Sequence, residues 1–183
     1  MKWTVILERV AIVVASLALS FGLIALLSGF FAGRDQAGVS VASPPVGAQY
    51  PDQGDAQLKP GQQHPPYDSS PPTSGPHVPT PVLRDQTQLS DDQLLTALAA
   101  GNVVVMYGTS TPPRSLVAFA RQQGGPFSPA LAQSGGAVIL AHQPGTVGLI
   151  GLAWAHMVHV TAATDPLLGQ FTQYWLGRGA PGH

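Results

Sequence analysis

Five of the fourteen residues at positions 64–77 are proline, a density that excludes both an interior helix and a central strand. Each proline fixes φ and removes a backbone donor, and the residue before it is pushed toward extended backbone. Ser74-Gly75 is the one point where the stretch can turn sharply, since glycine tolerates positive φ. The segment reads as a stiff, extended loop with an imidazole at each end, His64 and His77.

Eleven of the eighteen prolines fall within residues 44–81, which separates an apolar N-terminal run from a patterned C-terminal region. Residues 10–31 carry no charge, and as a helix they span about 33 Å, enough for a hydrocarbon core of about 30 Å. A secretory signal has a shorter apolar region, roughly 7–15 residues, so the run predicts an uncleaved single-pass transmembrane helix. Lys2 and Arg9 precede it, while Arg34 after it is offset by Asp35. Residues 1–9 are therefore expected as a cytoplasmic tail, with the C-terminal domain outside the cytoplasm. Residues 32–60 hold few large apolar side chains and are expected to act as a Pro/Gln/Gly-rich spacer.

The folded domain is expected over residues 61–180. Ser90 and Gln93 form a capping box, Leu89 and Leu94 a hydrophobic staple, and Gly101 a left-handed stop, which together predict a helix. Val103-Val104-Val105-Met106-Tyr107 is a continuous apolar run suited to a strand buried on both faces. Pro113 suits the first turn of a second helix whose apolar side is Leu116, Val117, Phe119 and Ala120, and Gly124-Gly125-Pro126 ends it. One short helical turn fits at residues 129–133. A second strand is expected at residues 137–142 and a third within 147–160, joined by a hairpin connection at 143–146. Asp165-Pro166 opens the last helix, with Leu167, Leu168, Phe171, Tyr174 and Trp175 at helical spacing. The order helix, strand, helix, strand, strand, helix implies an α+β fold: a small mixed sheet packed by helices.

Composition removes several functions. Net charge is −1, only 9% of residues are charged and no basic run exists, so nucleic acid is not an expected partner. The absence of cysteine excludes disulfides, thiol redox chemistry and thiolate zinc sites. Histidine remains as the one candidate ligand type. His64 and His77 are the candidate metal residues, for copper or zinc, but two imidazoles leave a tetrahedral ion half exposed to water. The expectation is that both rings instead bond loop backbone and that no cofactor is held. His156 and His159 fall on opposite faces of a strand, which makes them poor partners for one metal. Ser74, His77 and Asp68 could be drawn as a hydrolase triad, yet no nucleophile elbow accompanies them, so no catalytic residue is expected.

Pro71-Pro72-Thr73-Ser74-Gly75-Pro76-His77, preceded by His64-x-x-Tyr67, resembles the signature of a bacterial membrane-anchored family, domain of unknown function 3105. Gly101-Asn102-Val103-Val104-Val105-Met106-Tyr107 is similar to that family's Gly-Gly-Val-Val-Ile-Trp-Tyr strand. Leu152-Ala153-Trp154, with Tyr174 and Gly177-Arg178-Gly179 further on, is similar to its Thr-Ala-Trp and Tyr-Arg-Gly elements. Members often carry His-Asn-Leu-Glu-His before the strand, where this chain has Thr96-Ala97-Leu98-Ala99-Ala100. The resemblance thus implies location and fold, and it leaves any helix-borne metal ligands missing here.

The functional expectation is a non-catalytic accessory or interaction subunit, anchored in a bilayer and docking on a larger membrane complex. Tyr67, Pro72, Ser74, Gly75, Pro76 and His77 are its candidate docking residues. The alternative is an envelope copper- or zinc-binding protein that uses the loop histidines.

Overall fold

The computed structural model describes residues 46–182, which belong to one compact unit beginning at Pro44. The expected tail, transmembrane helix and first part of the spacer, together with His183, lie outside the described residues. Among the described residues no helix is long and apolar enough to cross a membrane.

Five strands and four helices lie among the described residues: β1 (Ala48–Gln49), α1 (Asp91–Ala100), β2 (Val103–Tyr107), α2 (Arg114–Gly124), α3 (Pro129–Gln133), β3 (Val138–His142), β4 (Leu149–Ala153), β5 (His156–Val160) and α4 (Pro166–Trp175). The sheet runs β1-β5-β4-β2-β3, parallel only between β2 and β3. It is a mixed α+β sheet, as the element order implies.

Period-two alternation sorts the core into two halves. Val104 and Met106 of β2 join Leu152, Met157 and Ile139 beneath α1 and α3. Val103, Val105 and Tyr107 point the other way, into a cluster with Leu116 of α2 and Leu168 and Phe171 of α4. Every residue of β2 is buried, which is why its sequence is uninterrupted by polar side chains.

The helix ends follow local chemistry. Ser90 Oγ accepts the Gln93 amide at 3.2 Å while Gln93 Oε1 accepts the Ser90 amide at 3.1 Å. Gly101, at φ 105°, closes α1 in the left-handed region. Asp165 Oδ1 accepts the Leu167 amide at 2.9 Å, and Pro166 opens α4. Replacing Ser90 by Ala is expected to cost about 1 kcal/mol, a drop in Tm of about 4 °C for a domain of this size. Thermal unfolding of the two proteins checks it, and coincident transitions would show that the box carries no weight.

Two expectations are corrected. The region 147–160 holds two strands, not one, folded back at Trp154-Ala155. Ala155 sits at φ 56°, and a tight turn of this kind is usually signalled by Gly or Asn, so no residue type announced it. The connection after β3 is also not a hairpin. β3 and β4 both pair with β2, one on each side, so residues 143–148 cross over its end. The reason is burial: β2 is apolar throughout and takes an interior place between β3 and β4.

The second half of the expected spacer is likewise part of the domain. Ala48 and Gln49 pair antiparallel with Met157 and His156. The Leu58 amide donates to His77 O at 2.9 Å, and the His77 amide donates to Ala56 O at 3.1 Å. Ala48, Gln49, Ala56 and Leu58 thus find backbone partners on the sheet edge and on the Pro-rich loop. At the opposite edge residues 85–87 cover β3: Asp85 Oδ1 accepts the Leu140 amide at 2.8 Å and the His142 amide donates to Thr87 O at 2.9 Å.

Candidate binding cleft

The Pro-rich loop lies across the face of the sheet that carries α1, and the polar side chains of its second half are turned inward. Thr73 and Ser74 are fully buried. Ser74 Oγ donates to Pro51 O and accepts the Gln53 amide, both at 3.1 Å, while Thr73 O accepts the Ala155 amide at 2.9 Å. The chain leaving the loop is clamped to α1: Asp92 Oδ1 accepts the Val78 amide at 2.8 Å and Thr96 Oγ1 accepts the Thr80 amide at 2.9 Å. Thr96, at a position where the resemblance places histidine, is thus a structural clamp.

The two end histidines behave alike. His77 Nδ1 lies 2.9 Å from Gly75 O and His64 Nδ1 lies 2.7 Å from Pro65 O. A carbonyl only accepts, so Nδ1 of each ring carries the proton and donates. His77 is buried, its ring tilted against Trp154 with centroids 6.4 Å apart. His64 is exposed and stacks on Tyr67 at 4.2 Å. Among the described residues no group of three or more His, Cys, Asp or Glu side chains is placed to hold a metal ion. Ser74 Oγ is engaged with the Pro51 and Gln53 backbone, and no hydrogen bond joins it to His77.

Tyr67 is the hinge between loop and cleft. Its hydroxyl donates to Pro76 O at 3.0 Å, and its ring fills the space above Gly75. Burial, with the negative charges of Asp92 and Asp91 behind it, pushes its pKa up to about 12, so the phenol stays a neutral donor at ordinary pH.

A cleft of about 630 Å³ opens beside it. Its floor includes a cross-strand row in which Met106 of β2 pairs with Ile150 of β4 and Ile150 pairs with His159 of β5. One wall is the loop, from Tyr67 through Pro72. A second is the start of α1, with Leu89, Asp91 and Leu94, and the third is the crossover after β3, including Gln143 and Val147. The volume falls in the range of small-molecule sites, about 300–1,000 Å³. The cleft lies beyond the carboxyl ends of the parallel pair β2 and β3, where open sheets with parallel strands commonly bind ligands. Another cleft of about 550 Å³ lies on the other side of the crossover, lined by Tyr107, Pro113 and Leu116, and the Pro-rich loop takes no part in it.

Of the candidate docking residues, Tyr67 and Pro72 therefore line the cleft, Pro76 anchors the Tyr67 hydroxyl, and Ser74, Gly75 and His77 are buried supports. His156 is buried and stacked on Trp175 at 3.8 Å. His159, on the other face, is exposed, with Nε2 3.2 Å from Met157 Sδ.

Sequence reasoning missed three positions that hold the site. Asp92, in the first turn of α1, clamps the loop. Trp154 Nε1 donates to Asp52 Oδ1 at 3.1 Å, bringing the former spacer to the turn beneath Thr73. Asn102 is buried and ties α1 to α3 and the start of β3. Its one signal is an amide side chain immediately before a wholly apolar strand.

The family model described as "Protein of unknown function (DUF3105)" matches residues 60–182. The chain belongs to this family. In the DUF3105 domain as this chain builds it, the proline-rich signature forms one wall of a cleft. Comparison with curated proteins and with solved structures returned no match.

Proposed function

We propose that the protein is a non-catalytic interaction subunit, held at a membrane by residues 10–31 with its domain outside the cytoplasm, and that the cleft receives a segment of a larger membrane complex. The observation that carries this reading is the engagement of Ser74 and His77 by loop backbone. Their hydrogen bonds go to main-chain groups, which shapes a wall and takes up the one Ser and His that the loop motif offers as nucleophile and base. The wall presents a phenol, prolines and small hydroxyls over a floor row of Met106, Ile150 and His159, a mixed surface suited to contact with a partner segment.

Site-specific photo-crosslinking in intact membranes tests it. A benzoylphenylalanine at Ser70 or at the exposed Val147 should give a discrete adduct with a membrane protein, and one at Gln122 on α2 should give none. Equal labelling from all three positions, or none from the cleft, would remove the reading. Copper and zinc titration of the full-length protein in detergent separates the alternative. Stoichiometric binding at sub-micromolar affinity, abolished by His77→Ala, would establish a metal-handling protein in its place.

A further inference from the structure

Tyr174 and Gly177-Arg178-Gly179 line neither of the two large clefts. Along α4, Leu167 and Tyr174 are seven residues apart, so they share one stripe to within about 20° and lie about 10 Å apart along the axis. Both are exposed, and α4 contains no charged residue. Among the described residues four large hydrophobic side chains are exposed, and this one stripe carries two of them. The other two, Leu83 and Val147, lie on separate loops.

Tyr174 also stands close to the point where the described chain begins. Its ring meets Trp175 edge-on with centroids 4.8 Å apart, and Trp175 Nε1 donates to Val46 O at 2.8 Å. The exposed Arg178 holds its guanidinium carbon 4.3 Å from the Tyr174 ring centroid. Residues 32–45 separate Val46 from the apolar run 10–31. A flexible chain of that length spans about 20 Å on average and no more than about 50 Å. The tether therefore keeps the Trp175 corner within that reach of whatever the apolar run enters.

We propose that this face of α4 lies on the headgroup layer of the anchoring bilayer, with Leu167 and Tyr174 entering it and Arg178 meeting lipid phosphate. It rests on the membrane anchor proposed above and adds the surface by which the domain itself touches lipid. Tyrosine and tryptophan rings settle at the membrane–water boundary because one end is apolar and the other polar. The planar guanidinium of an arginine beside them matches phosphate geometry. A helix without charge gives up no ionic hydration as it approaches. Asp165 caps α4 at the end away from Arg178, and its Oδ1 is turned to the Leu167 amide. A tethered domain loses little further freedom on contact, so two apolar side chains and one cation suffice.

The chain has no cysteine, so single substitutions can each carry a nitroxide label. The full-length protein is placed in vesicles of phosphatidylcholine with about one-third phosphatidylglycerol, labelled in turn at Leu167→Cys, Leu83→Cys and Leu19→Cys. Collision of the label with oxygen, which concentrates in lipid, is compared with collision with a water-soluble nickel chelate. The oxygen-to-nickel ratio at Leu167 should exceed that at Leu83 about threefold, and Leu19 should give the highest ratio. Arg178→Glu should bring Leu167 down to the Leu83 value while the thermal transition stays within a few degrees.

Equal ratios at Leu167 and Leu83, with Leu19 high, overturn the lipid contact and leave the anchor standing. A low ratio at Leu19 refutes the anchor, and this proposal with it. A raised ratio at Leu167 that disappears when the protein is diluted about tenfold in lipid assigns the face to a second copy and overturns the proposal as well. A ratio that Arg178→Glu leaves unchanged refutes the phosphate contact.

Discussion

Asn102→Ala is expected to destabilise the domain by about 3–4 kcal/mol, the largest single-residue effect outside the apolar core. Asn102 is buried, its Nδ2 donates to Ala97 O at 2.9 Å and Ala132 O at 2.7 Å, and its Oδ1 accepts the Ala137 amide at 2.9 Å. The two carbonyls keep a backbone donor each after the change, from Asn102 itself and from Gly135. The Ala137 amide loses its partner, and an unmet buried donor costs about 1–3 kcal/mol. Two lost bonds and the vacated volume supply the remainder. Asn102→Asp should be worse at neutral pH, because it turns a carboxylate oxygen toward two carbonyls. Denaturant unfolding measures both variants, and a loss below about 1 kcal/mol for Ala would show that water or local movement replaces the amide.

Gly75→Ala is expected to cost about 3 kcal/mol and to deform the cleft as well. Gly75 lies at φ 133°, a region that an L side chain rarely adopts. A Cβ there would stand 2.8 Å from Tyr67 Cε1, and the ring can yield only by leaving the Pro76 carbonyl that its hydroxyl holds. Gly125→Ala is the comparison: it sits at φ 78° with open space around the added carbon. That variant should show the backbone cost alone, about 1 kcal/mol, so the difference between the two reports the contact with Tyr67. Equal shifts in Tm would mean that the ring moves freely and does not brace the wall.

Local signals were legible wherever one or two residues decide the outcome by themselves. Ser90 with Gln93, Gly101, and Asp165 with Pro166 set helix ends because a cap needs only its own neighbouring amides. The run Val103–Tyr107 announced a strand buried on both sides, and the proline density announced a loop stiffened into extended backbone. The backbone hydrogen bonds of the end histidines are local too, since each ring finds a carbonyl within two residues.

The tertiary structure decided what depends on partners distant in sequence. The turn at Ala155 carries no glycine and is held by the pairing of β4 with β5 and by the Thr73 carbonyl. Residues 46–60 look like spacer because their side chains are small and polar, yet their backbone is bound by Ser74, His77, Ala155 and Met157, and no local pattern records that. The cleft was invisible for the same reason. Its walls come from residues 67–72, 89–94 and 143–147, three segments that nothing short of the folded sheet brings together. By itself, the sequence determined the stiffness of the loop and the caps of the helices, because those energies are local. The fold alone made the loop a wall, because a wall needs a second surface to face.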